Sequence, residues 1–317
     1  MAQELATIHY DVLPKLWDLC GFWLSQYGVE GYKGEITHTL VFTLVYSIIG
    51  TFLSLPQSYY SNFVLEERFG FNKQTPGLWA MDKVKGFGLG CIFGAPILSG
   101  FLAIIQKTGT KFFYYLWLFT LVVQVCAITI YPTLIQPLFN KLTPLENGDL
   151  RSSVEDLARK LQFPLDKLYV IDGSKRSAHS NAYFYGLPWK KQIVIYDTLI
   201  EKSNVQEVTA VLGHELGHWK LGHVTRLFGL SQFQSFYVFA LFSAFVNNRS
   251  LFQSFGFVKQ QPILIGFLLF NHILGPLSMI INLFMTMVTR AFEFQAGKSL
   301  TLLHLTLCVM LTYASLR

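Results

Sequence analysis

Long apolar blocks alternate along this chain with one extended polar interval. Four blocks carry no charge and are long enough to cross a bilayer as helices: His38–Pro56, Gly86–Gln106, Phe112–Ile135 and Leu227–Val246. About 20 apolar residues suffice for one crossing. A fifth block, Pro262–Val288, is long enough to cross with a tilt. Leu300–Ala314 is too short to assign to the membrane by length alone. The first thirty residues set Leu13, Leu16, Trp17, Leu19, Phe22, Trp23 and Leu24 among acidic residues and glycine, the pattern of an interfacial helix. No basic stretch precedes an apolar core there, so no cleavable signal peptide is expected.

The polar interval 136–226 is the stretch long enough to fold outside the membrane. Within it Glu155–Leu161 is predicted as a helix. Leu168–Ile171 and Gln192–Tyr196, rich in β-branched and aromatic residues, are predicted as short strands. The glycine-bounded run 173–186 between them predicts a small sheet edge. A further helix starts near Ser203 or Asn204, with Gln206 and Glu207 at capping-box spacing. Val205, Val208, Val211, Leu212, Leu216 and Trp219 recur along it at helical period.

Composition supports a membrane protein. The 317 residues are 52% hydrophobic and 14% charged, with mean hydropathy +0.39, whereas soluble domains carry about 25% charged residues. The expected fold class is a multi-pass α-helical membrane protein with a small soluble α/β domain. The net charge of +6 does not indicate nucleic acid, because the basic residues lie beside membrane segments and among acids, with no basic arm or stripe. Cys20, Cys91, Cys126 and Cys308 fall in apolar segments without CxxC spacing. They are expected to be packing residues rather than disulfide or metal partners. If all five blocks cross, segments 57–85 and 136–226 share one side and hold sixteen Lys and Arg, against four in loops 107–111 and 247–261. Positive residues favour the cytoplasmic side, so the polar domain is expected to face the cytoplasm.

Chemistry concentrates in His214-Glu215-Leu216-Gly217-His218. Two histidines four apart on a helix share a face, so both imidazoles can address one metal ion, with Glu215 beside them as general base. Zinc with an open position needs a third protein ligand. His223 misses the metzincin spacing, which falls on Val224. On an ideal helix it lies about 140° around from His218 and about 180° from His214, so it is expected to face away as a partly exposed helix-end histidine. Glu293 lies two expected crossings beyond His218, at the edge of an apolar block. A carboxylate there is expensive unless paired or ligating. Spacing alone leaves two roles open for it, metal ligand or ion-pair partner of Arg290.

Four stretches together resemble the type I CAAX prenyl proteases: Glu67–Thr75 (ERFGFNKQT), Ser174–Gly186 (SKRSAHSNAYFYG), Val211–His223 (VLGHELGHWKLGH) and Phe292–Ala296 (FEFQA). The resemblance runs to about residue 296. It implies a ring of membrane helices around a chamber, one Zn2+ held by His214, His218 and Glu293, Glu215 as catalytic base, and Asn181 contacting substrate backbone. From residue type alone Asn181 reads as a turn residue. The implied activity removes the last three residues from farnesylated proteins in the endoplasmic reticulum or nuclear membrane. The implied partners are prenylated protein C-termini and membrane lipid. The domains expected are membrane helices over 1–135, a zinc-metallopeptidase domain over 136–226, membrane helices with the third ligand over 227–297, and a diverging tail over 298–317.

The chain also departs from that family. Gly297 stands where the family has an aspartate suited to orient a ligating histidine, and a glycine there predicts an early helix end. The resemblance fades beyond Gly297 and begins late at the N-terminus, which implies a form shortened at both ends. Two other readings follow: an impaired form that binds prenylated tails or partners without hydrolysis, and a general membrane quality-control zinc protease.

Overall fold

The computed structural model describes residues 10–28, 31–187, 189–258 and 260–302. The expected short block Leu300–Ala314 leaves these residues at position 303, and Cys308 lies outside them. In chain order the elements are helices α1 (Val12–Ser25), α2 (Gly31–Tyr60), α3 (Pro76–Thr108), α4 (Phe112–Ile130) and α5 (Gln136–Phe139), then strand β1 (Leu142–Pro144) and helix α6 (Asp149–Leu161). Strands β2 (Leu165–Ile171), β3 (Ala182–Leu187) and β4 (Lys190–Tyr196) follow, then helices α7 (Asp197–Lys202), α8 (Val205–Lys220), α9 (His223–Phe245), α10 (Arg249–Ser254), α11 (Ile263–Ile273) and α12 (Gly275–Leu302). They form two compact units. One comprises Met1–Ser58, Lys83–Val123 and Ser231–Ile281; the other comprises Tyr59–Asp82, Gln124–Leu230 and Asn282–Arg317.

Among the described residues, four continuous helical runs are long and apolar enough to cross a membrane: Gly34–Glu66, Pro76–Phe139, His223–Phe245 and Gly275–Lys298. The second run folds back on itself. A Cβ placed at Gly100 would lie 2.8 Å from the Phe119 ring, whereas a straight helix would hold these positions about 28 Å apart. Gly109, with φ +57°, takes the left-handed turn that lets α3 and α4 pair as a hairpin. Large apolar side chains such as Phe52, Ile92, Val122, Phe233 and Met279 stand exposed on these runs, a surface suited to lipid. The chain is a multi-pass membrane protein.

The expected single crossing over Pro262–Val288 is two helices. Helix α11 has 11 residues, about 16 Å of rise and too short to span. The ladder breaks at Leu274-Gly275-Pro276, where proline lacks the N–H that would reach the carbonyl of His272 and its ring crowds that carbonyl. The crossing is carried by α12 alone.

In the membrane unit, α1 buries Leu13, Leu16, Trp17 and Cys20. Trp17 stacks on His38 of α2 at 3.9 Å between ring centres, and His38 Nε2 lies 2.8 Å from the Trp17 carbonyl. Leu19, Phe22 and Trp23 remain exposed on the opposite face. Glu35 of α2 accepts from Gln106 Nε2 of α3 at 2.5 Å and from the backbone N–H of Ile263 at 3.4 Å. This carboxylate is therefore paired and caps the start of α11.

The second unit holds a four-stranded sheet in the order β1-β2-β4-β3. Strands β2 and β4 are parallel, while β1–β2 and β3–β4 are antiparallel. Its core is built from Val154, Leu157 and Leu161 of α6, Leu168, Ile193 and Ile195 of the sheet, and Val208, Leu212 and Leu216 of α8. The sequence pattern anticipated β2 and β4. It missed three-residue β1 as too short for an alternating pattern, whereas the run 173–186 was read as a sheet edge. That edge is indeed β3.

Helix α8 begins as expected. Asn204 Oδ1 accepts from the Glu207 N–H at 2.9 Å, and the Asn204 N–H donates to Glu207 Oε2 at 3.0 Å, so both partners of the capping box are satisfied. Upstream, the resemblance stretches Glu67–Thr75 and Ser174–Gly186 meet. Phe71 O accepts from the Ala178 N–H at 2.8 Å, and Lys73 N–H donates to Arg176 O at 3.1 Å. The Arg176 guanidinium grips Asp82 through both carboxylate oxygens at 2.8 and 2.9 Å, the planar fork of a bidentate pair.

Asn204→Ala removes the cap from α8 and should destabilise the metallopeptidase unit by about 1 kcal/mol. A thermal or denaturant midpoint for that unit equal to the parent's would contradict the capping assignment.

Candidate metal centre

Helix α8 buries Val208, Val211, Leu212 and Leu216, and this packing decides which way His214 and His218 point. His214 is 5% exposed. Its Nε2 lies 3.2 Å from His218 Nε2, so the two rings converge as positions i and i+4 should. The third group comes from α12. Glu293 sets Oε2 3.1 Å from His214 Nε2 and Oε1 3.6 Å from His218 Nε2. Ligand atoms of all three residues lie within 4.8 Å of one another. Of the two roles left open for Glu293, the described ion pairs place it with the histidines.

Those spacings suit a metal. Tetrahedral zinc with bonds of about 2.0–2.1 Å separates its donors by about 3.3 Å; the two imidazole nitrogens stand 3.2 Å apart, and the two Glu293 oxygens lie 3.1 and 3.6 Å from one imidazole each. Two imidazole nitrogens and a carboxylate are also the donor types zinc prefers. The residues present fit the ion.

Glu215 is largely buried, which together with nearby Glu293 pushes its carboxyl up to about 7. Burial and the neighbouring His214 hold His218 below the ordinary imidazole value, against the pull of Glu293, which favours the neutral ring that a metal requires. Asn181 is not drawn to the same point. It sits exposed at the head of edge strand β3, its Oδ1 accepting from the Ala182 N–H at 2.8 Å and its carbonyl from the Tyr196 N–H at 3.0 Å. Strand β3 packs against α8.

His223 departs from expectation. It is 1% exposed rather than a partly exposed helix end, and its Nδ1 lies 2.9 Å from His218 Nδ1. The ideal-helix projection fails because α8 stops at Lys220. Gly222, at φ +68°, then turns the chain before α9 starts at His223 itself. The glycine immediately before His223 was the available signal. Gln295, whose Oε1 lies 3.1 Å from His223 Nε2, was not anticipated at all. Nor does α12 end early at Gly297; it continues to Leu302, since one glycine costs a helix interior only about 1 kcal/mol relative to alanine.

Comparison with known proteins agrees along nearly the whole chain. The family model described as the CAAX prenyl protease N-terminal region with five membrane helices matches residues 1–141, and that of peptidase family M48 matches residues 144–302. The second match runs past Gly297, where the visible resemblance had faded. CAAX prenyl protease 1 of Saccharomyces cerevisiae is 44% identical, the alignment covering 93% of this chain and 69% of that protein. Its homolog in Homo sapiens is 41% identical, covering 90% of this chain and 68% of that protein. The crystal structure of S. mikatae Ste24p superposes with a TM-score of 0.89 at 45% identity, covering 97% of this chain and 74% of that one. The paired histidines, the returning carboxylate and these matches agree, and the chain belongs to the M48 metallopeptidases of the CAAX prenyl protease type.

Proposed function

We propose that this chain is a zinc endopeptidase that removes the last three residues of farnesylated CAAX proteins at the membrane. The observation that carries the reading is the meeting of His214, His218 and Glu293, from helices far apart in sequence, at donor spacings suited to one zinc ion. Relatives named CAAX prenyl protease 1 supply the substrate class. In this reading residues 1–135 provide membrane helices, 136–226 the metallopeptidase domain, and 227–297 the segment that returns Glu293.

His214, His218 and Glu293 would hold the ion. Zinc in such a site lowers the pKa of a water molecule toward about 7 and polarises a peptide carbonyl. Glu215, beside His214 and shielded from solvent, accepts a proton on its carboxylate as water attacks, then returns it to the leaving amine. Asn181 and the exposed edge of β3 would hold the substrate backbone as an added strand. A farnesyl chain gives only modest membrane affinity, so the scissile bond stays near the lipid surface, where a membrane-embedded protease can reach it. The charge bias of the segments supports a cytoplasmic-facing peptidase domain in the endoplasmic reticulum or nuclear membrane.

One observation favours a second reading, in which prenylated tails are bound without hydrolysis. Gly297 lies one turn beyond Glu293 on α12, where a metal-orienting aspartate would stand. A Cβ there meets nothing within 4 Å, so the aspartate is missing by sequence and not for want of space.

Purified full chain in detergent should carry close to one zinc per molecule by elemental analysis, and His214→Ala or Glu293→Ala should lose most of it. Glu215→Gln should keep the metal yet cut a farnesylated tail peptide about 10²–10⁴-fold more slowly. Equal cleavage of farnesylated and unprenylated versions of that peptide would turn the assignment toward general proteolysis. Gly297→Asp should fold with an unchanged thermal midpoint. If the parent is inactive and this variant cleaves, the second reading gains; a parent already cleaving at a comparable rate ends it.

A further inference from the structure

The metal ligands do not account for the burial of His223. It belongs to no ligand set assigned above, yet it is 1% exposed and makes polar contacts through both ring nitrogens. Its ring stacks on Phe292 at 4.2 Å with 4° between planes, so its orientation is fixed. Burying a polar ring is unfavourable unless its nitrogens are satisfied.

We propose that Gln295 and His223 form a positioning relay that orients His218 toward the metal, an inference that rests on the zinc reading of the site. Proton bookkeeping gives the relay one direction. His218 must present Nε2 as a lone pair, because that nitrogen faces His214 and Glu293. Its proton therefore sits on Nδ1 and is donated to His223 Nδ1 across 2.9 Å. His223, accepting at Nδ1, carries its own proton on Nε2 and donates it to Gln295 Oε1 across 3.1 Å. A neutral amide oxygen at the end accepts without titrating. Metal-ligating histidines commonly donate their second N–H in this way, which fixes tautomer and ring angle. Here Phe292, Glu293 and Gln295, within one turn of α12, supply the stack, a metal ligand and the terminal acceptor together.

The test measures zinc affinity of the full-length chain in detergent by competition with a chelating dye, with the Co2+ absorption spectrum as a second readout. His223→Phe keeps the stacking ring but removes the acceptor. It should weaken zinc binding by about 10–100-fold and alter the Co2+ spectrum, while the thermal midpoint of the metal-free protein stays within a few degrees of the parent's. His223→Gln, which can still accept from His218, should recover most of that affinity. Gln295→Leu, at an exposed position, should lose about fivefold, the weight of one neutral hydrogen bond. Unchanged affinity in His223→Phe, or equal loss in His223→Phe and His223→Gln, would overturn the relay. Should His223→Phe not fold, Gln295→Leu decides, and unchanged affinity there overturns it. A parent that binds no zinc defeats the proposed function itself, whereas a tight-binding parent with indifferent variants defeats only the relay.

Discussion

The site depends on three side chains whose donor atoms meet within 4.8 Å, although His214 and Glu293 stand 79 residues apart in the chain. Without a cation such a cluster is awkward. Two imidazole nitrogens 3.2 Å apart can share at most one proton, and a carboxylate must still be held against them. Most of the neighbouring structure serves this convergence. The Asn204–Glu207 box sets where α8 begins. Leu212 and Leu216, buried against the sheet and α6, set how it is rotated. Given both, His214 and His218 can point only one way, because side chains four apart share a face.

The second constraint is the break after α8. A helix running on through residue 223 would throw that imidazole to the far side. The left-handed turn at Gly222 ends one helix and starts another within two residues, and it brings His223 back behind His218. A side chain other than glycine would adopt that backbone only with strain. The turn also joins the metal helix directly to a membrane-spanning one, since His223–Phe245 is itself long and apolar enough to cross.

Much of this was legible beforehand, for physical reasons that differ by element. The membrane blocks announce themselves because lipid exposure removes the polar face that soluble helices keep, and the histidine pair because helical period converts a four-residue spacing into convergence. From spacing alone Glu293 was legible only as a choice between two roles, since sequence distance says nothing about which side chains meet after two helices intervene. Three features stayed hidden. Strand β1 has three residues, too few to show a pattern, and its pairing with β2 is a tertiary fact. The break at Pro276 was masked by apolar residues on both sides, which hydropathy reads as one block. His223 was misplaced because the projection assumed a continuous helix, although the glycine that interrupts it was in plain view.

The two histidines of α8 also differ in exposure. His214 has 7% of its side chain exposed, within the buried face of α8. His218, one turn nearer the helix end, has 16% exposed. Where packing weakens, orientation has to come from directional bonds, and there the chain places a second buried imidazole. Gly297 offers no side chain on α12 to share this task, and a Cβ placed there would meet nothing within 4 Å. In the proposed site the orientation of His218 therefore falls more heavily on the turn at Gly222 and the histidine behind it than the paired-histidine motif would suggest.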